Sequence, residues 1–104
     1  MTDLDICKRI AEIEGLPCAL RSGAYGGKWC IAQTKGHSSM RRYSPITDDA
    51  LWVSLIEKYE VSISFVFCKV LINIDRVIER NFSSKSELRR NALLLIIEAH
   101  NDKD

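Results

Sequence analysis

The chain begins with a hydrophobic pattern that is typical of a short amphipathic helix. The spacing of Ile6, Ile10 and Ile13 places these three side chains on one helical face. Acidic residues occupy the first turn, where the positive end of the helix dipole favours them, and Gly15 stands where such a helix would end. The pattern therefore predicts a helix over residues 2–14 with one buried face.

After this helix the hydrophobic period shortens to that of β-strands. Residues 18–21 and 28–32 predict two strands, and the glycine-bearing stretch at residues 22–27 predicts a loose hairpin tip between them. A polar turn follows, and a short strand is expected at residues 40–43. Three strands are thus expected before the middle of the chain.

The segment "RRYSPITDDALW", residues 41–52, predicts the change from strand to a second helix. Pro45 cannot continue a regular strand ladder, and Thr47 is expected to be the N-cap of a helix that begins at about residue 48. The two aspartates after Thr47 fall in the first turn of that helix. The side chains expected to face the core are Leu51, Trp52, Leu55, Ile56 and Tyr59.

Strand-like alternation returns after the second helix. Val61, Ile63, Phe65 and Phe67 alternate with other residues, which predicts a strand with one buried face that is long or paired with the next strand. One further strand is expected within residues 72–80.

The last segment predicts a long helix that starts with a capping box at residues 84–87. Leu93, Leu94 and Ile97 fall outside its core stripe, and two explanations stay open for them. Either the helix is buried on more than one side, or these residues form a surface for a homodimer or another partner. The core stripe itself consists of Leu88, Ala92, Leu95, Ile96 and Ala99.

The order helix, three strands, helix, strands, helix predicts an α+β fold. We expect helices packed on an antiparallel sheet of about four to five strands. With 104 residues, 46% hydrophobic and 28% charged, the chain has the composition of a single globular domain over residues 1–104.

Charge and cysteine content narrow the classes of function. The net charge of +1 does not by itself require a nucleic acid, an anionic membrane or an acidic substrate. The first residues lack the basic start of a secretory signal, and no apolar run approaches the roughly 18 residues of a membrane-spanning helix. A cytoplasmic chain without a membrane partner is therefore expected. Its cysteines are expected to be buried free thiols: Cys7, Cys18, Cys30 and Cys68.

The sequence offers no catalytic constellation. Asp48 and Asp49 would point about 100° apart on a helix, so they predict helix capping rather than a metal site. No local motif places His37 or His100 beside a cysteine, and the glycines of residues 22–27 lack the lysine and hydroxyl of a phosphate-binding loop. We therefore expect neither an enzyme nor a cofactor.

Residues 18–46, here called the basic segment, contain no aspartate or glutamate. Guanidinium and aromatic groups in this segment suit a phosphate, a nucleotide, a nucleic acid or an acidic protein surface. The alternative is an ordinary solvated face, with acidic residues from the helices cancelling its field. The candidate binding residues are Arg21, Tyr25, Lys28, Lys35, Arg41, Arg42 and Tyr43.

Several short motifs of the sequence occur in the same order as in a family of small phage proteins. They are Trp29, "YSPITD" at residues 43–48, "LIEK" at residues 55–58 and the helix end "ALLLIIEAH" at residues 92–100. Over residues 28–101 the chain resembles the NinX-like, or phage ABA sandwich, proteins. This resemblance implies a layered helix, sheet and helix domain from a phage or prophage accessory region, and it carries over no catalytic residues.

Together, these features predict a non-enzymatic accessory protein of a phage or prophage. We expect it to bind a host protein or ribonucleoprotein, for example as an anti-CRISPR-like inhibitor of bacterial antiviral defence. Two alternatives are a protein that binds or sequesters an anionic small ligand such as a nucleotide, and a nucleic-acid-binding accessory protein.

Overall fold

The computed structural model describes residues 1–74 and 76–101 and has an α+β fold. This part of the chain forms two three-stranded antiparallel sheets, with strand orders β1-β2-β3 and β4-β5-β6, instead of the single sheet that was expected. The elements are α1 (Asp3–Ile13), β1 (Cys18–Ser22), β2 (Lys28–Ala32), β3 (Arg41–Arg42), α2 (Asp49–Lys58), β4 (Ser62–Ser64), β5 (Lys69–Ile74), β6 (Arg76–Asn81) and α3 (Lys85–Asn101).

The first sheet packs on α1. Thr2 caps this helix, because its hydroxyl accepts from the backbone N–H of Asp5 at 3.2 Å while the Asp5 carboxylate accepts from the N–H of Thr2 at 3.1 Å. The apolar face of α1 shares one core cluster with Cys30 and Ala32 of β2. The predicted first helix and the two strands of the hairpin are confirmed.

The second sheet packs on α3, and α3 packs on α1. The core therefore lies where the two helices meet, with one sheet on the outer side of each helix. Helix α2 is attached by side-chain hydrogen bonds: Trp52 Nε1 donates to the carbonyl of Arg89 at 3.3 Å, and the Tyr59 hydroxyl donates to Glu14 Oε2 at 2.7 Å. No helix in the described part of the chain is both long and apolar enough to cross a membrane.

The start of α2 corrects one prediction. Asp48 is the N-cap, with its carboxylate accepting from the N–H of Leu51 at 3.2 Å. Thr47 was expected in this position, but it belongs to the preceding turn, where its hydroxyl donates to Ser44 Oγ at 2.7 Å. The turn closes because the N–H of Asp48 donates to the carbonyl of Ser44 at 2.8 Å. The helix consequently begins one residue later than predicted.

The segment after α2 differs most from the prediction. Strand β4 ends at Ser64, and the chain turns at once, so that Phe65 and Phe67 are 71% and 73% exposed instead of buried. Cys68 adopts a left-handed backbone, with φ of 51°, as the turn leads into β5. The single strand expected within residues 72–80 is replaced by the paired strands β5 and β6.

Helix α3 is buried on more than one side. Leu93 has no exposed surface, Ile97 is nearly as deep, and Leu94 is half-buried. The reason is that α1 covers one side of α3 while β5 and β6 cover another. Leu93 and Ile97 are therefore core residues, and the folded chain does not offer them to a second copy. Half of the predicted capping box forms, with Ser84 Oγ accepting from the N–H of Glu87 at 3.2 Å. The Glu87 carboxylate accepts from the N–H of Ser83 at 2.9 Å instead of from that of Ser84.

Candidate anion-binding face

The strand register of the first sheet brings two arginines and a tryptophan to one surface. Arg21 lies directly opposite Trp29, and Arg42 lies opposite Ile31, two residues further along β2. Paired residues of antiparallel strands share a face, so Arg21, Trp29 and Arg42 are neighbours on the same side of the sheet. The other side carries Cys30, which belongs to the core. We call the outward trio of Arg21, Trp29 and Arg42 the basic face.

Trp29 is the fixed centre of the basic face. The guanidinium carbon of Arg42 lies 4.9 Å from the centroid of the Trp29 ring, which is the geometry of a cation–π contact. The indole also packs against the hairpin tip, where a Cβ atom added to Gly23 would lie only 2.8 Å from Trp29 Cζ3. Tyr25 stands at that tip with its side chain fully exposed.

None of the five cations of the basic segment forms an ion pair within residues 1–74 and 76–101. Three acidic residues in or next to the helices pair with other cations: Asp3 with Arg90, Asp49 with Arg89, and Glu14 with Lys58. Acidic side chains therefore do not neutralise these five cations by direct ion pairing, although Lys35 is near enough to Glu14 to help lower the pKa of that carboxyl. The five cations are Arg21, Lys28, Lys35, Arg41 and Arg42.

A groove of about 340 Å³ adjoins the basic face and lies beside the N-terminal part of α1. Trp29 and Arg42 line both the face and the groove, and Lys28 adds a third functional side chain. The hydroxyl-bearing residues Ser44 and Thr47 also line it. We call this the side groove. Its lining combines cations, a ring and hydroxyl groups, which are the groups that recognise phosphates and bases.

The structure separates the predicted binding residues into different groups. Tyr43 is only 3% exposed, because it follows Arg42 by one residue and points to the opposite side, into the core. Tyr43 is therefore not part of the basic face, although it lines the side groove. Lys28 and Arg41 are exposed but stand on the side of the sheet opposite to the basic face, and Lys35 is exposed in the loop after β2.

Trp29 is one of the aromatic residues of the basic segment, and it joins the site although it was not among the candidate binding residues. The signal for it was present in the sequence, since a hairpin between residues 18–21 and 28–32 pairs the residue before Cys30 with the residue after Leu20. The exact register of that hairpin decides the pairing, and a flexible glycine-bearing tip leaves the register open from sequence alone.

The sequence pattern did not predict an exposed apolar turn between β4 and β5. Phe65, Val66 and Phe67 are all largely exposed at the turn between β4 and β5, and we call them the apolar tip. The Phe65 ring lies edge-on to Phe82, with 6.1 Å between the ring centroids, beside an apolar cleft of about 530 Å³. The alternation of residues 61–67 had suggested a buried strand instead.

The four cysteines are free thiols in different environments. Cys7 and Cys30 are buried, and burial raises both of their pKa values, that of Cys30 to about 11. Cys18 is half-buried, and Cys68 is exposed, so the expectation of a buried thiol is wrong for Cys68.

Three of the four titratable residues that were weighed for chemistry, Asp48, Asp49 and His100, are held by structural contacts. His100 lies with Nδ1 2.8 Å from the carbonyl of Ile96 and its ring edge-on to Tyr59. Asp48 caps α2, and Asp49 pairs with Arg89. Within the described ranges, no three His, Cys, Asp or Glu side chains are grouped closely enough to hold a metal ion.

Comparisons with protein-family models, curated proteins and solved structures find no match to this chain. The resemblance to the NinX-like proteins therefore stays a prediction that rests on the quoted residues.

Proposed function

We propose that the protein is a non-enzymatic binding protein that attaches to an acidic surface of a host macromolecule through its basic face. The observation that carries this proposal is the group of five cations that form no ion pair in the described part of the chain, two of which flank Trp29. Cations that no internal carboxylate engages are available for charge-assisted hydrogen bonds with a partner. Because the net charge of the whole chain is only +1, the attraction for an acidic partner comes from these cations and not from the protein as a whole.

The proposed kind of host macromolecule follows from the sequence motifs shared with the NinX-like proteins. By that analogy we place the protein among the accessory proteins of a phage or prophage, acting in the bacterial cytoplasm on a host protein or ribonucleoprotein. Inhibition of antiviral defence in the manner of an anti-CRISPR protein is the concrete form of this proposal.

A pull-down from host lysate tests the proposed function. Tagged wild-type protein should capture a partner at physiological salt, and the Arg21→Gln/Arg42→Gln variant should lose it. The charge-matched Lys69→Gln/Lys85→Gln variant should keep the partner, because both lysines are remote from the first sheet, in β5 and at the start of α3. Equal capture by both double variants would contradict a role for the basic face.

The side groove favours a second candidate, which is the binding of a small anionic ligand such as a nucleotide. Its volume of about 340 Å³ is in the range of small-molecule sites, and its lining offers a ring, two cations and hydroxyl groups. A thermal-shift screen with mono-, di- and cyclic nucleotides tests it. Stabilisation that is lost in Arg42→Gln but kept in Lys85→Gln would support this candidate, and no shift with any nucleotide would remove it.

A further inference from the structure

We propose that the partner of the basic face is a single-stranded nucleic acid, with bases stacked on aromatic rings of the first sheet and phosphates held by the surrounding cations. This inference rests on the proposed function, because it names the chemical class of the macromolecule that the same face binds.

Trp29 has two arginines as neighbours on the basic face. Arg21 is its direct cross-strand neighbour, and Arg42 lies over its ring at 4.9 Å. An acidic protein surface requires only the cations, since carboxylates bind guanidinium forks edge-on. Bases, in contrast, stack on both indole rings and guanidinium planes. An aromatic ring framed by arginines therefore fits a nucleic acid better than an acidic protein.

Tyr25 offers a second aromatic ring at the tip of the β1–β2 hairpin. Its ring is fully exposed and makes no ring contact within the described residues, so the fold gains no packing from it. Gly26, with φ of +82°, turns the chain directly after it. An aromatic ring projecting from a turn on the sheet that carries Trp29 is suited to a second base of the same strand.

The side groove favours a single strand over a duplex as the ligand of the basic face. Trp29 and Arg42 of the basic face line the groove together with Asp3 and Leu4 of α1, so the groove offers room beside the face for an unpaired base or nucleotide. Bases in a duplex are paired and stacked inside the helix and cannot enter such a groove without flipping. One acidic residue, Asp3, also lines the groove, but its carboxylate is engaged by Arg90 at 3.1 Å.

Positive charge extends beyond the basic face. Two further cations without an ion pair in the described residues stand at the end of β2 that is remote from the hairpin tip: Lys35 in the loop after β2, and Arg41, which pairs with Ala32 on the side of the sheet opposite to the basic face. Strand β2 has five residues and spans about 16 Å, which is enough for a backbone to contact more than one phosphate. Cations along a track with interspersed rings are typical of proteins that bind single strands with little sequence preference.

Fluorescence anisotropy with labelled oligonucleotides tests this inference on the full chain. The probes are oligo-dT and oligo-rU of about 12 nucleotides, within the usual site sizes for single strands, and a duplex of the same length. We expect the single strands to bind more tightly than the duplex, with an affinity that falls steeply as salt is raised. Polyglutamate added as a competitor should displace the single strand only weakly.

Three variants make the test specific. Tyr25→Ala removes a fully exposed ring and should weaken single-strand binding by about 5- to 150-fold, the effect of losing one stacked base. Arg21→Gln/Arg42→Gln should weaken binding and reduce its salt dependence. Lys69→Gln/Lys85→Gln removes the same charge from other surfaces and should bind as the wild type does.

The possible failures separate the inference from the proposed function. Duplex or polyglutamate binding as tight as single-strand binding, with Tyr25→Ala unchanged, would overturn the inference and leave a general anion-binding face. Capture of a nuclease-resistant protein partner that depends on Arg21 and Arg42, without oligonucleotide binding, would overturn the inference and support the proposed function. No oligonucleotide binding, together with a pull-down unaffected by these arginines, would overturn both.

Discussion

The hydroxyl of Tyr59 donates a hydrogen bond to Glu14 Oε2 at 2.7 Å, and this contact joins the C-terminal end of α2 to that of α1. Lys58 donates to the same carboxylate oxygen. Leu55 is the one fully buried side chain of α2, and Leu51, Trp52 and Ile56 pack against the core while partly buried. The carboxylate of Glu14 adds a polar attachment to this apolar contact. The arrangement leads to two predictions about stability.

Removal of the Tyr59 hydroxyl should destabilise the protein, while removal of the Tyr43 hydroxyl should not. We expect Tyr59→Phe to lower the free energy of unfolding by about 1.5–3 kcal/mol, because it deletes a hydrogen bond to a charged group. The Tyr43 hydroxyl is buried without a hydrogen-bond partner among the described residues, so Tyr43→Phe should be neutral or stabilising. Urea denaturation of both variants measures the difference, and equal destabilisation would contradict the assignment of these contacts.

Glu14 should make stability depend on pH in the acid range. Partial burial raises the pKa of this carboxyl, but hydrogen bonds from Lys58 and Tyr59 outweigh burial and hold the pKa below its ordinary value of 4.5. A carboxyl with a lowered pKa in the folded state contributes stability that is fully present above the ordinary value and is lost as the pH falls through the folded-state value. Glu14→Gln should therefore cost about 1 kcal/mol at neutral pH.

The difference between wild type and Glu14→Gln should narrow as the pH is lowered below the ordinary pKa, because the wild-type carboxyl then becomes neutral as well. Denaturant titrations at neutral pH and in the acid range check this. Glu57→Gln is the control, since Glu57 is an exposed carboxylate on α2. A difference for Glu14→Gln that stays constant with pH would show that the charge of Glu14 does not contribute.

Gly23 should be needed for the position of Trp29. The substitution Gly23→Ala puts a Cβ atom about where the indole lies, at 2.8 Å from Cζ3, so the ring must move. We expect a loss of about 1 kcal/mol in the free energy of unfolding and a changed tryptophan fluorescence spectrum. Gly27→Ala is the matched control in the same tip, because a Cβ atom there meets nothing within 4 Å. Identical spectra for the two variants would refute the contact.

The burial of Leu93 predicts a large effect of truncation. Leu93→Ala should lower the free energy of unfolding by about 2–5 kcal/mol, since it leaves a cavity between α3 and its neighbours. Leu94→Ala, at the half-buried neighbouring position, should cost clearly less. The loss should not depend on protein concentration. If the loss in the free energy of unfolding disappears on dilution and light scattering detects a dimer, Leu93 lies in an interface between two copies instead of in the core.

The thiols should react at rates set by their burial. Cys68 is exposed and should react first with an aromatic disulfide reagent, while Cys7 and Cys30 should react only when the protein unfolds. The pKa of Cys30, raised to about 11 by burial, further suppresses its thiolate at neutral pH. Cys68→Ser should remove the fast phase, and a fast phase that survives this substitution would contradict the exposure described for the turn after β4.

Local patterns predicted those elements whose ends and faces depend on nearby residues. The helix over residues 2–14, the hairpin strands and the last helix follow from hydrophobic period and from caps formed within three residues, so they required no knowledge of the fold. The basic segment was also visible, because the absence of acidic residues from a stretch of chain is a property of the sequence.

Only the tertiary structure determined which side chains face outward. Adjacent residues of a strand point to opposite sides, so the packing of α1 on the first sheet buries Tyr43 and leaves Arg42 on the basic face. In the same way, coverage from two sides buries Leu93, while an early turn exposes Phe65. The sequence by itself determined the elements and the supply of cations, because these are local properties. The choice of binding surface depended on how elements remote in sequence pack together.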